Sequence, residues 1–295
     1  MNVTILGTGR MGSAMAERVA QAGHDVVLWN RDGGRSASLA DRLGCSVAPD
    51  PASAVTSSSV VLSVLANGAV TEEILLDPAV LASLPHESVV CDMATSGLDT
   101  AETLAAAYAA ASRSFVDSPV AGSVTSVLSG ALLVMASGPE SAVARAHDIF
   151  STFAGRVVYL GEAGRGQAMK LSAGLVVHSL NSAVSEGLAL ATRAGIDPSI
   201  AYEVLRSSSV GAPYLGYKEQ VFLGADSPVA MSLDLSGKDL ALISNLASDL
   251  SLELSALTGV QHGVTAARAM GFGSSDMADL YRYLLGEAPP ERPTT

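Results

Sequence analysis

Gly7, Gly9 and Gly12 stand in the run Gly7-Thr8-Gly9-Arg10-Met11-Gly12, the pattern GxGxxG. It directly follows a short apolar run and precedes an Ala-rich helical one, the context in which such a loop binds a dinucleotide. Gly7 permits a tight turn, Gly9 lets the backbone approach a pyrophosphate, and Gly12 lets a helix lie close to a strand. The helix start, through the backbone of Thr8, Arg10 and Met11, offers N–H groups and partial positive charge to phosphates.

The residues that select the cofactor lie further on. The second apolar run ends at Asn30, followed by Arg31 and Asp32. An NAD site commonly places an acidic residue at such a strand end, to bind the ribose 2′-OH. A neutral amide beside a guanidinium suits a 2′-phosphate instead, because the arginine fork matches its oxygens. The pattern therefore favours NADP(H) over NAD(H). Asp32, offset by two positions, leaves an NAD site open, and Arg31 as a plain surface charge is the bland alternative.

Other chemistries find no support. His24, His86, His147 and His262 show no HExxH spacing, no GxSxG elbow occurs, and Cys45 and Cys91 form no CxxC pair, so no metal is expected. The formal net charge is −12, without a Lys/Arg cluster, which argues against nucleic acid or an anionic membrane as partner. No apolar run reaches the ~18 residues of a membrane helix. The sequence starts without a basic n-region, and a cytoplasmic location is the expectation.

Elements must position these residues. In the first 160 residues, short β-rich runs at 2–6, 25–29, 60–64, 88–92, 114–117, 131–136 and 156–160 alternate with helical stretches such as 11–22. This alternation predicts βαβ units and a parallel, doubly wound α/β sheet. Gly161, Gly164 and Gly166 then mark a turn, and a long helical pattern without proline runs over 167–193. Gly195 and Pro198 end it, and further helices follow with loops at 207–213 and 222–228. The expected organisation is a Rossmann-like domain over 1–162, a connecting helix over 163–194, an all-α domain over 195–288, and a polar, Pro-rich flexible tail over 289–295.

With four motifs in order, the chain resembles the β-hydroxyacid dehydrogenase family, the 3-hydroxyisobutyrate dehydrogenase-like and 6-phosphogluconate dehydrogenase-like enzymes. The motifs are the loop at 7–12; Asp117-Ser118-Pro119-Val120-Ala121-Gly122-Ser123 with Gly130 beyond; Gly161 and Gly164-Arg165-Gly166-Gln167-Ala168-Met169-Lys170; and Lys238-Asp239-Leu240. The resemblance implies hydride transfer between a nicotinamide and a small-molecule alcohol or carbonyl, in a homodimer or homotetramer. It makes Lys170 the catalytic residue, an ammonium that stabilises negative charge on the carbonyl oxygen and supplies its proton. It assigns Ala121, Gly122 and Ser123 to the substrate loop. It brings Leu65, Ala66 and Thr95, on the loops after the third and fourth strands, to the cofactor. Lys238 either approaches the nicotinamide end or stabilises a domain interface, and Tyr214 and Tyr217 either line the cleft or pack.

The family pattern is also broken. Ala173 and Gly174 replace the asparagine that follows the lysine, Ala121 replaces a carboxylate-binding serine, Ser123 replaces a glycine, and Ala94 and Ala66 replace further motif residues. Counting along a helix from Lys170, the same face carries Gly174, His178 and Asn181. A widened pocket for a bulkier or less acidic substrate, with His178 or Asn181 as polar contacts, is one reading. Close helix packing at Gly174 and a core role for His178 is the other. Imine reductases share the fold and the glycine loop, which keeps C=N reduction as an alternative to carbonyl chemistry. A non-catalytic dinucleotide-binding protein is a second.

Overall fold

The computed structural model describes residues 1–225 and 227–290, so residues 291–295 of the expected tail lie outside the described residues. The chain divides into two compact units, Met1–Lys170 and the residues from Leu171 onward. This division falls inside the helix expected to connect the domains, not at its start.

In the first unit, among the described residues, six strands form one sheet in the order β3-β2-β1-β4-β5-β6. They are β1 (Asn2–Leu6), β2 (Asp25–Trp29), β3 (Ser46–Val47), β4 (Val60–Ser63), β5 (Val89–Asp92) and β6 (Ser114–Asp117), every pair parallel. The helices between them are α1 (Arg10–Gln21), α2 (Gly33–Leu43), α3 (Pro51–Val55), α4 (Gly68–Leu75), α5 (Pro78–Ser83) and α6 (Leu98–Ala110). This strand order reverses direction between β1 and β4, and ligands of such sheets bind in the crevice outside the strand ends at that point.

The central strands are apolar throughout because both faces are covered. Side-chain alternation splits them between two cores. Ile5, Leu28, Leu62 and Cys91 pack with Met15 and Val19 of α1, while Leu6, Val61, Val90 and Phe115 pack with Leu75, Leu104 and Tyr108.

One expectation is corrected here. The runs at 131–136 and 156–160 do not extend the parallel sheet. They are β8 (Leu132–Ala136) and β9 (Ala154–Tyr159), in a separate sheet with β7 (Val120–Ala121), which runs antiparallel to β8. Pro119 is the physical reason: with no N–H it cannot continue the β6 ladder, and the chain turns back as β7. Asp117 and Ser137 exchange backbone hydrogen bonds of 3.0 and 2.7 Å, which tie the β6 edge to the end of β8. The helices α7 (Val124–Leu128) and α8 (Glu140–Phe150) complete this part.

The long helix α9 (Arg165–Arg193) has 29 residues and no internal proline, and Lys170 is its last residue in the first unit. The second unit holds the rest of α9 with α10 (Pro198–Ser207), α11 (Pro213–Phe222), α12 (Leu233–Asp249), α13 (Ser255–Ala267) and α14 (Leu280–Leu285). Pro198 occupies the first turn of α10, where its missing N–H is no loss, and Asp197 caps the Ser199 N–H at 2.9 Å. One core joins Leu240, Ile243 and Leu257, another joins Leu188, Tyr202, Leu215 and Phe222. Beside them Lys218 and Asp276 form a buried ion pair, with Nζ 2.6 Å from Oδ1 and 2.7 Å from Oδ2.

Candidate active site

The glycine loop lies at the sheet's switch point. Gly7 has φ +101° and donates its N–H to the Trp29 carbonyl at 2.8 Å. A Cβ on Gly7 would strike the Val64 carbonyl oxygen, and one on Gly12 would strike the carbonyl oxygen of Gly7. A Cβ on Gly9 would meet nothing within 4 Å. Gly7 and Gly12 are therefore needed by the fold itself, whereas Gly9 faces open space. Thr8 is buried, yet its Oγ1 has no hydrogen-bond partner among the described residues. A buried hydroxyl without a partner is costly unless a ligand satisfies it. The open space at Gly9 and the orphaned Thr8 hydroxyl fit a dinucleotide pyrophosphate at the start of α1, beside the backbone of Arg10 and Met11.

At the end of β2, Asn30 and Arg31 line an open recess of about 630 Å³ together with Trp29, Gly33 and residues 47–51. Arg31 Nη2 lies 3.2 Å from Glu73 Oε2, and both side chains are about two-thirds exposed. Such a pair contributes about 0–1 kcal/mol, so Arg31 is readily redirected. Asn30 Nδ2 donates to the Asp32 carbonyl at 3.1 Å. The Asp32 carboxylate caps α2 by accepting from the Gly34 N–H at 3.1 Å, and lies 3.5 Å from Arg35 Nε.

The loops after β4 and β5 come together beside this point. Leu65 packs in the Leu6 core, and Gly68 lies so close to the Ser96 carbonyl oxygen that a Cβ would approach it to 2.5 Å. Within 91–97, Thr95 is the one residue that is not buried. Below this loop, Asp92 Oδ2 accepts from Ser96 Oγ at 2.8 Å. Burial pushes the Asp92 carboxyl up to about 7, against the lowering effect of that hydrogen bond.

After β6, Gly122 has φ +138° and closes on Leu132 and Ser126. Ser123 is spoken for locally. It forms a capping box at the start of α7, accepting from the Ser126 N–H while its own N–H donates to Ser126 Oγ. This is what a serine at the glycine position of the family does here. Ala121, in β7, is half-buried and offers no polar side chain.

The start of α9 is anchored on Asp117. A Cβ at Gly166 would approach Asp117 Oδ2 and the Met135 carbonyl oxygen to 2.7 Å. Only glycine lets the helix enter here, and Lys170, half-buried, follows one turn on. Sequence reasoning missed Asp92, Ser96 and the part played by Gln167. The available signal was that two adjacent apolar strands, VVCD and SFVD, each end in aspartate.

In the second unit, a Cβ on Gly174 would make one contact within 4 Å, with Ile243 Cδ1 at 3.5 Å. No close backbone approach explains this glycine. His178 is buried at 4% exposure. Asn181 donates to the Met277 carbonyl at 2.9 Å and accepts from Tyr214 OH at 2.7 Å. Asn181 and Tyr214 are thereby held to each other within the second unit. Tyr217 is exposed, and Lys238 Nζ lies 3.2 Å from Asp239 Oδ1.

Residues 2–161 match the family model described as the NAD binding domain of 6-phosphogluconate dehydrogenase. Residues 164–284 match that described as NAD-binding of NADP-dependent 3-hydroxyisobutyrate dehydrogenase. The chain belongs to the β-hydroxyacid dehydrogenase family. It is 30% identical to the probable 3-hydroxyisobutyrate dehydrogenase-like 1, mitochondrial, of Arabidopsis thaliana, over 91% of this chain and 80% of that one. It is 26% identical to glyoxylate/succinic semialdehyde reductase 1 of the same plant, over 94% of this chain and 96% of that one. The structure titled Psf3 in complex with NADP+ and 2-OPP has a TM-score of 0.87 at 24% identity, covering 96% of this chain and 99% of that one. This family member is an NAD(P)-dependent oxidoreductase acting on CH–OH groups and the corresponding carbonyls, with a nicotinamide dinucleotide as its cofactor. Among the described residues, no helix is long and apolar enough to cross a membrane.

Proposed function

We propose that this chain is an NADP(H)-preferring dehydrogenase in which Lys170 is the acid/base for a β-hydroxyacid, semialdehyde or bulkier alcohol/carbonyl substrate. The observation that carries this reading is the packing of Gly166 against Asp117, which starts α9 at the strand ends and sets Lys170 one turn in. The nicotinamide, when bound, supplies or accepts the hydride. In reduction the Lys170 ammonium stabilises charge growing on the carbonyl oxygen and gives it a proton. In oxidation the neutral amine takes the hydroxyl proton. The backbone of residues 7–12 and the Thr8 hydroxyl hold the pyrophosphate, and Leu65, Ala66 and Thr95 face the rest of the cofactor. The preference for NADP rests on Arg31, held by one exposed ion pair, and on Asp32, whose carboxylate caps α2 rather than standing ready for a ribose hydroxyl.

Gly174 and Ala121 support a substrate larger or less acidic than a small hydroxyacid. The loss of carboxylate-binding residues at those positions keeps C=N reduction as the second reading, while Lys170 favours carbonyl chemistry. We place the chain in the cytoplasm, and as a homodimer or homotetramer; the association alone is supported by Met169, Val176 and Leu190, exposed at 42%, 65% and 75% along α9. The domain reading keeps α9 as the connector between a cofactor-binding domain and a helical one.

The test is a panel of β-hydroxyacids, semialdehydes, bulkier ketones and cyclic imines, assayed with NADPH and NADH, for wild type and Lys170→Ala. Expected are a higher kcat/KM with NADPH and loss of turnover in Lys170→Ala with cofactor binding intact. Near-normal turnover in that variant overturns the role of Lys170, and turnover of imines alone selects the second reading.

A further inference from the structure

We infer that Gln167 is a positioning residue that ties the Thr95 loop and the Lys170 turn of α9 into one rigid piece; this rests on the reading of Lys170 as the acid/base. Gln167 is fully buried. Its Oε1 accepts from the N–H groups of Ser96 and Gly97, both at 3.2 Å. Its Nε2 donates to the Ala94 carbonyl at 2.9 Å and to Asp117 Oδ1 at 3.1 Å. Its backbone N–H donates to Asp117 Oδ2 at 3.0 Å. The carboxamide thus has both donors and both acceptor sites filled, the full capacity of the group.

The partners explain the function. Ala94 precedes Thr95 in sequence, and Ser96 and Gly97 follow it, so one side chain grips the loop on both sides of its half-exposed residue. Asp92 holds the same loop from beneath through Ser96 Oγ. Asp117 is held in turn by Ser137 Oγ at 2.9 Å, which also accepts from the Gly166 N–H at 2.9 Å. Lys170 follows Gln167 by three residues, on the neighbouring helical face. A shift of about 1 Å at a reacting group can lower a rate about 100-fold. A carboxylate lacks the two donors, a hydrophobe lacks donors and acceptors alike, and the carboxamide of asparagine is one methylene shorter.

Three variants test the clamp: Gln167→Met, which keeps the volume but removes all four bonds; Gln167→Glu, which sets a carboxylate against Asp117; and Gln167→Glu combined with Asp117→Asn, which restores a donor facing an acceptor. They are compared with wild type and Lys170→Ala using NADPH and the best substrate of the panel. Expected are a fall in kcat of about 100-fold for both single Gln167 variants, a Kd for NADPH within about threefold of wild type, and recovery of about tenfold in the double variant. Gln167→Met also speeds exchange of the Ser96 and Gly97 amide hydrogens. Inactivity of Lys170→Ala with a kcat for Gln167→Met within twofold of wild type overturns the clamp while leaving the Lys170 reading intact. Turnover by Lys170→Ala overturns the underlying reading instead. Should a Gln167 variant be poorly folded or no substrate turn over, the exchange measurement on Gln167→Met decides, and unchanged exchange at Ser96 and Gly97 overturns the clamp.

Discussion

Asp92 and Asp117 stand directly opposite each other in the register of β5 and β6, both fully buried at the strand ends. Burial raises both carboxyls, Asp92 to about 7, with the charge of Asp117 adding to the effect on Asp92. Hydrogen bonds from Ser96 to Asp92, and from Gln167 and Ser137 to Asp117, favour the charged forms and only partly offset burial. Two carboxylates so placed resist ionising together.

A pH dependence of stability follows from this pair. An unfolded aspartate titrates near ~4, while folded Asp92 holds its proton to about 7. The folded state therefore binds more protons between those values, and its stability falls as pH rises through that window. The contribution is fully present below pH ~4 and lost above about 7; Asp117 adds in the same direction. Urea midpoints measured from pH 5 to 8 should decline, and Asp92→Asn should flatten the decline. Parallel slopes for wild type and variant would refute the assignment.

The sequence's legibility followed the range of the interactions. Residues 7–12 declare themselves because a βα turn over a pyrophosphate is a local device, readable from six consecutive residues. The helices of the second unit are similarly local, with Pro198 and Pro213 marking two starts. The small sheet was missed because its pairing is antiparallel between β7 and β8, and apolar runs do not reveal their partners. Gln167 stands inside a recognisable motif, yet its partners lie 50 to 73 residues away in two segments, 94–97 and Asp117. The capping role of Ser123 was hidden because its bond with Ser126 depends on where α7 starts.

Arg31→Ala should discriminate between the cofactors. Loss of a charge-assisted phosphate contact is worth about 1.5–3 kcal/mol, or roughly 10- to 160-fold in KM for NADPH. KM for NADH should stay within about twofold, since that cofactor lacks the 2′-phosphate. The Glu73 pair is too exposed for its loss to matter to stability. Equal changes for both cofactors would place the 2′-phosphate elsewhere.

The second unit has its own vulnerable point in Lys218 and Asp276. Their side chains are 1% and 0% exposed, and Asp276 also accepts from the N–H groups of Ala230 at 3.0 Å and Ala278 at 3.1 Å. Lys218→Met leaves a buried carboxylate without its cation and should cost about 3–5 kcal/mol. Adding Asp276→Asn removes the charge and keeps an acceptor oxygen for one of those two amides, so it should recover part of the loss. A destabilisation below about 1 kcal/mol for Lys218→Met alone, in urea unfolding, contradicts this account.

Gly9 and Gly12 separate the needs of the fold from those of the cofactor. Gly12 cannot accept a Cβ because the Gly7 carbonyl oxygen occupies its place, so Gly12→Ala must shift α1 away from β1. A destabilised protein is the expected outcome, visible as a lower melting temperature without any ligand. Gly9→Ala meets nothing within 4 Å in the chain itself and should melt as wild type does. Its added methyl instead intrudes where the pyrophosphate approaches the backbone. The expected loss there is about 2–3 kcal/mol, a rise in NADPH Kd of roughly 30- to 160-fold. Fluorescence titration with NADPH and a thermal melt on both variants give the comparison. Normal NADPH affinity in a well-folded Gly9→Ala would move the pyrophosphate away from the loop that Gly7 and Gly12 hold in shape.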